Sequence, residues 1–425
     1  MKNKEMMITY GESKIKFVIP QKNYCYFIQP KQITQKEDDK YYIKKAFYQP
    51  IGALSLNEVL HNGMKILLIV DDLTRPTPKK RLIPLVIKEL VKLGIKKKDI
   101  TILIALGTHR YMTHTEIINS FGPEIVESVK IFNHEWANPE NLVDIGRTLN
   151  NIKIIINKKM IETDFSIGIG SIVPHSEAGW SGGGKIVQPG ICGWETTAAT
   201  HLMAAKDSKY LDITGTINNK VRSEIEFIAK KAGLNYIINF ILGTNGQIYD
   251  VVGGDPILAH RYGVKISKKI YTVQIKDLAD IVVVSAYPAD LDYWQGDKPI
   301  TYSLRGINKK GTLILVGRFP EGISSSHPIL EKYGHLQYEE LMKLSLNNTI
   351  KDEVGLAALL IHAHHKRRVS IICVSPGLTR QQKEKFGFIH AESVQEAINI
   401  ALDMQGNKCK IGVIDYGGDL LPVCL

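Results

Sequence analysis

From Lys65 onward the chain alternates short, continuous apolar runs with amphipathic segments, and this alternation restricts the fold more than any other feature. Residues 66–70 (ILLIV) are closed off by Asp71-Asp72 and read as a strand covered on both faces. Leu82, Val86, Ile87 and Leu90 then recur at helical spacing and stop near Gly94. Residues 100–106, 165–169, 281–284, 312–316, 370–374 and 410–414 repeat the strand pattern, while 353–365 and 394–404 repeat the helical one. Strands alternating with helices specify mainly parallel α/β sheets. Two hairpins interrupt the pattern: 7–10 with 15–19 at the start, and 236–242 with 248–252 around an Asn245-Gly246 turn. At 425 residues two domains are expected. A Lys-rich stretch between Val264 and Ile275 divides an N-terminal catalytic and cofactor-binding domain, 1–270, from a C-terminal α/β domain, 271–425. The active site is expected in the cleft between them, at the carboxyl ends of the strands.

Composition narrows the function classes. No run approaches the roughly 20 apolar residues needed to span a bilayer, and no apolar stretch follows Lys2 and Lys4, so neither membrane nor secretory signal is expected. Cys25, Cys192, Cys373, Cys409 and Cys424 are scattered and odd in number, which points to a reducing cytoplasm. The net charge is +11, but the lysines are dispersed and lack interleaved aromatics. An anionic small substrate is therefore expected in place of nucleic acid.

The unusual loop residues cluster at strand ends. Asp72 and Arg75 follow the first strand, His109 the second, His175 the glycine-bearing one, and His201 lies downstream. Arg75, kept extended by Pro76, can grip a carboxylate or pair with Asp71 or Asp72. Gly182-Gly183-Gly184-Lys185 lets backbone approach a ligand and offer N–H groups to an anion. Gly179 with Gly184-Lys185 matches a P-loop only literally, since Ile186 stands where a magnesium-binding Ser or Thr belongs. Three imidazoles could hold zinc for a hydrolase, or divide into one metal ligand and an acid/base pair. A non-catalytic nucleotide-binding protein built on 182–185 is a third reading. Trp294-Gln295-Gly296-Asp297-Lys298 opens a helix on which Gln295 and Lys298 share a face. His362 to Arg368 reads as the solvated end of an amphipathic helix, and Gly253-Gly254 as a turn.

Taken in order, Asp72-Leu73-Thr74-Arg75-Pro76, Gly107-Thr108-His109, Pro174-His175, Gly182-Gly183-Gly184-Lys185, His201 and Gln295-Gly296-Asp297-Lys298 resemble the lactate racemase family over nearly the whole chain. The resemblance implies a racemase or epimerase that inverts C2 of a 2-hydroxy acid. It also implies a nickel-pincer nucleotide (nickel pyridinium-3,5-bisthiocarboxylic acid mononucleotide), which takes and returns a hydride. By the same resemblance Lys185 tethers the cofactor, His201 ligates nickel, and His109 and His175 are the acid/base pair. Arg75, Gln295 and Lys298 hold the substrate, while Asp72 orients a histidine or the cofactor. Implied partners are the small hydroxy acid and the enzymes that make the cofactor, and a homo-oligomer is left open. Trp294 stands where lactate-specific members carry tyrosine, which points to a larger or more polar acid, sugar acids included.

Overall fold

In a computed structural model of the chain, residues 2–207 and 209–425 are described, and Met1, the head of the expected N-terminal domain, lies outside them. Two six-stranded sheets form the frame. In the first, the spatial order is Ile248–Gly254, Tyr236–Leu242, Phe165–Ser171, Ile66–Asp71, Ile100–Ala105 and Lys130–Asn133. All pairs are parallel except the hairpin of 236–242 with 248–254. The second runs Ile389–His390, Ser370–Val374, Ile307–Val316, Ala279–Ser285, Ile411–Ile414 and Tyr24–Ile28, parallel throughout. Apolar runs such as Ile66–Asp71 are buried along their whole length because helices such as Lys79–Lys92 cover the sheet faces. The mixed α/β class with parallel sheets, and the antiparallel hairpin Asn3–Tyr10 with Ser13–Pro20, are as expected from the sequence.

Residues 3–28, which the sequence groups with the block 1–270, belong physically to the second sheet. Tyr24–Ile28 forms its edge beside Ile411–Ile414, and Met6, Ile8, Phe17 and Ile19 of the hairpin join the core of Ile281, Val283, Ile314 and Val413. The Asp415 side chain accepts from the Thr9 backbone N–H at 2.8 Å. A pairing across nearly 390 residues leaves no local mark in sequence, because each strand is equally apolar wherever it docks.

Two local expectations are corrected. Helix Glu353–Arg368 meets solvent only in its last turn, at Arg367: His362 and His365 are buried, because the helix packs between the second sheet and helix Trp194–Ala205 of the first unit. Gly253 and Gly254 are the end of a strand, not a turn. A Cβ on Gly253 would lie 2.1 Å from the Ala46 carbonyl, so glycine there permits helix Asp39–Tyr48 to lie against the strand. The Lys-rich stretch 264–275 is the second half of helix Leu258–Tyr271, whose apolar face is buried against the hairpin 236–254, followed by strand Thr272–Ile275. All five cysteines are free thiols.

Candidate active site

The carboxyl ends of both sheets face one cleft of about 1180 Å³, where strand ends, loops and helix starts converge. It is lined by Asp72, Arg75, His109, His175, Gly182, Lys185, His201, Trp294, Gln295 and Lys298, so ten of the twelve singled-out residues meet there. Gly183 and Gly184 do not line it. The Gly183 N–H donates to Asn239 Oδ1 at 2.8 Å, and a Cβ on Gly184 would strike Ala229 at 2.8 Å. These two glycines pack the loop onto its neighbours and present no anion nest. The segment Gly183–Ile186 is a single 3-10 turn, so no P-loop helix follows the lysine.

Asp71 and Asp72, adjacent in sequence, have separate tasks. Asp71 accepts from Thr77 Oγ1 at 2.6 Å and pairs with buried Lys79 at 3.2 Å, which anchors the loop. Asp72 faces the cleft, where Oδ1 accepts from Thr74 and Oδ2 lies 2.6 Å from Nδ1 of His109. Burial pushes the Asp72 carboxyl upward, but His109, Arg75 and the Thr74 bond outweigh it and hold the group well below the usual range. Arg75 forms no ion pair among the described residues, since both aspartates are taken; its guanidinium donates to Thr74 Oγ1 at 2.8 Å. A cation left without a carboxylate at a cleft wall is ready to take one from a ligand.

The hydrogen bonds assign opposite tautomers to the two histidines. His109 donates from Nδ1 to Asp72, which leaves a lone pair on Nε2; the Gln295 amide N–H approaches it at 3.3 Å. His175 Nδ1 instead accepts from the backbone N–H groups of Glu177 and Ala178, at 3.2 and 3.4 Å, so its proton sits on Nε2. Burial lowers the basicity of both rings, strongly for His175, where Lys185, Lys298 and Arg75 add repulsion. One ring is thus prepared to accept a proton and the other to donate a hydrogen bond.

The Lys185 amine has no hydrogen-bond or ion-pair partner among the described residues, and burial followed by the charge of Arg75 holds it well below the ordinary lysine value. His201 donates from Nδ1 to the Thr197 carbonyl at 2.8 Å, one helical turn back, which directs Nε2 outward. That nitrogen lies 3.2 Å from the Glu177 carboxylate. Lys298 donates to Gln295 Oε1, and burial with Arg75 pushes its amine down to about 7. Trp294 packs edge-to-face on His109, ring centres 5.2 Å apart. Among the described residues no three His, Cys, Asp or Glu side chains converge on a metal position, so the three-histidine zinc site is not formed.

Comparisons with known proteins cover nearly the whole chain. Family models described as "Lactate racemase N-terminal domain" and "Lactate racemase C-terminal domain" match residues 10–211 and 274–421. The chain belongs to the lactate racemase family. It is 29% identical over 423 residues to a lactate racemase of Thermoanaerobacterium thermosaccharolyticum, covering 96% of this chain and 97% of that one. A lactate racemase of Lactiplantibacillus plantarum is 29% identical over 425 residues, with the same coverage. The lactate racemase apoprotein structure from T. thermosaccharolyticum superposes with a TM-score of 0.87 at 28% identity, over 99% of this chain and all of that one. A Thermotoga maritima protein shares the fold at TM-score 0.71 and 21% identity, over 92% of this chain and all of that one.

Within this lactate racemase family member, several supporting residues escape sequence reading. Arg222 is fully buried on helix Lys220–Ala232 and donates to the carbonyls of Ala178, Trp180 and Gly182, which fixes the loop that carries His175 and Lys185. In sequence it is one more cation on an amphipathic helix. Trp136 Nε1 donates to the His109 carbonyl at 3.0 Å, and Tyr302 Oη to the Pro174 carbonyl at 2.9 Å. Glu177 alone carried a signal, because it lies inside the run from Pro174 to Lys185.

Proposed function

We propose that this protein is a racemase or epimerase that inverts C2 of a 2-hydroxy acid, lactate or a larger one. The observation that carries this is the pairing of oppositely set histidines, His109 and His175, in one cleft with two cations, Arg75 and Lys298. The substrate carboxylate docks between Arg75 and Lys298, so that orientation survives while the carbon centre is flattened and rebuilt. The lone pair on Nε2 of His109 receives the hydroxyl proton, and Asp72 stabilises the imidazolium that results. The N–H at Nε2 of His175 holds the oxygen of the planar 2-keto acid from its own side. Gln295 then releases His109 and keeps its bond to Lys298.

A nickel-pincer nucleotide is the cofactor that suits these residues, and it supplies an acceptor and donor of hydride when bound. Two observations support the fit. A Lys185 amine without a side-chain partner among the described residues, whose basicity burial and Arg75 lower, is suited to carry the tether. His201 has its Nδ1 proton committed to a backbone carbonyl, the second-shell bond expected of a metal-ligating imidazole, and would use Nε2. The cleft has no magnesium-type oxygen cage and no zinc triad among the described residues. Cofactor-making enzymes are then required partners, and five free thiols suit a cytoplasmic setting.

The test is co-expression with cofactor-making enzymes, followed by intact-mass analysis, nickel stoichiometry and polarimetry on 2-hydroxy acids. An adduct confined to Lys185, absent in Lys185→Ala, with nickel near one per chain and loss of optical rotation is expected. Unmodified, nickel-free protein after that co-expression refutes the cofactor, and an adduct without racemisation of any hydroxy acid refutes the activity.

A further inference from the structure

A second chamber, of about 1040 Å³, adjoins the main cleft, and Arg75, His175, Gln295 and Lys298 stand in the wall between the two. Lys185 and His201, which suit the cofactor, line the main cleft and not the chamber. The chamber therefore stays open to a ligand when the cleft is filled. Its wall also carries Asp419, whose side chain has no hydrogen-bond or ion-pair partner among the described residues although the residue is only 8% exposed. Burial pushes this carboxyl up to about 6, against the pull of Lys298 and Arg75, so at neutral pH it is an acceptor without a donor. The fold fixes it in place. After strand Ile411–Ile414 the N–H groups of Gly417 and Gly418 donate to the carbonyls of Ser285 and Tyr287, at 2.9 and 3.2 Å, and the Asp419 N–H donates to the Tyr416 carbonyl at 3.1 Å. A Cβ on Gly417 would collide with Val284, so glycine lets this turn sit flush on the neighbouring strand. All of these bonds are made by backbone, and none uses the carboxylate.

The charges of the chamber select the donor. Arg318 is paired with Asp290 at 3.0 Å, which leaves Arg75, Lys298 and Asp419 to face a ligand. A substrate carboxylate on Arg75 and Lys298, with Asp419, balances the two cations. A second carboxylate would repel Asp419, and an ammonium would leave the site with a net positive charge. A hydroxyl donates to Asp419 without disturbing the balance. An apolar group would displace water and leave a buried carboxylate unpaired. The chamber also begins beside the reacting groups: His175 borders it, and so does Gln295, whose amide lies 3.3 Å from Nε2 of His109.

We propose that Asp419 and the chamber form a hydroxyl-recognising subsite, so that this chain acts on 2-hydroxy acids carrying further hydroxyl groups in preference to lactate, apolar or dicarboxylic 2-hydroxy acids. This rests on the racemase reading and names its substrate class. Arg75 and Lys298 hold the carboxylate of the acid, and Asp419 accepts from a hydroxyl beyond C2, all within one chamber. A site built to bond a hydroxyl penalises the analogue that lacks it, by roughly tenfold or more, because its own polar group is left unpaired. Asp419 is thus a specificity-determining residue.

The test compares cofactor-loaded protein on 2,3,4-trihydroxybutanoate and 2-hydroxybutanoate, which share a carbon chain and differ only in hydroxyls, with lactate, gluconate and malate alongside. The better of the two polyhydroxy acids should exceed 2-hydroxybutanoate and lactate in kcat/KM by roughly tenfold or more. Asp419→Leu, similar in size but without an acceptor, should lower that ratio by roughly tenfold. Asp419→Asn, which is neutral, should raise the use of malate relative to lactate. Equal use of the two butanoates by the unaltered protein, or an equal loss on every acid in Asp419→Leu, overturns the subsite while the racemase reading stands. Calorimetric affinities for the same two butanoates separate the two claims. Roughly tenfold tighter binding of the trihydroxy acid without racemisation of any acid upholds the subsite and refutes the racemase reading. Racemisation with equal affinities refutes the subsite alone.

Discussion

The Asp72 carboxylate lies 2.6 Å from Nδ1 of His109, while the same atom of His175 faces two backbone N–H groups. Chemically identical side chains are thereby made unlike. An aspartate stabilises a protonated ring, whereas converging amide dipoles oppose one.

Nitrogen-15 NMR of the cofactor-free protein should show the proton on Nδ1 of His109 and on Nε2 of His175. His175 should remain neutral well below the ordinary histidine midpoint, since burial and three nearby cations all oppose its charge. Detection of His175 as an imidazolium near pH 6.5 would contradict the assignment.

Asp72→Asn should lower kcat by about 10²–10⁴, with a smaller effect on KM, because the amide can impose the wrong tautomer on His109 and cannot stabilise its cation. Steady-state kinetics on the loaded enzyme give the number. The NMR signal of His109 should shift to the Nε2-protonated form in the same variant.

Lys298 supplies a pH dependence whose sign is fixed by its environment. Its amine, pushed down to about 7 by burial and Arg75, is charged below that pH and loses its charge above it. KM for the hydroxy acid should therefore rise as pH increases through about 7. Lys298→Arg, which stays charged, should flatten the dependence. Lys298→Ala should raise KM roughly 10–100-fold at pH 6, from loss of a charged hydrogen bond of about 1.5–3 kcal/mol.

Arg222→Met should destabilise the protein by about 2–4 kcal/mol, because it leaves buried carbonyls of the active loop without donors. Calorimetry would record this as a lower Tm, and Lys185 should also lose its selectivity in adduct formation. A variant with unchanged Tm and a normal adduct would remove Arg222 from the positioning role.

How far the fold was legible follows from what is local. Covered strands such as 66–70 and capped helices such as the one opened by Thr113 announce themselves through hydrophobic runs and a capping box. The loop residues at strand ends were legible for the same reason, since parallel sheets bring those ends together. What remained hidden was contact between distant segments: Tyr24–Ile28 at the edge of the second sheet, and the burial of His362. Gly183 and Gly184 misled because a glycine that admits a ligand and one that admits a neighbouring helix look alike in sequence. Arg222 was invisible, as a buried cation on carbonyls carries no motif.

The placement of residues 3–28 in the second sheet has a mechanical consequence. The backbone starts in one half, crosses to the other after Ile28, and returns near Thr272. Two covalent connections therefore join the lobes on either side of the cleft, like paired pins on a door. Helix Glu353–Arg368, packed on helix Trp194–Ala205, adds a third tie, so the two halves are fastened through a shared apolar core as well as through the backbone.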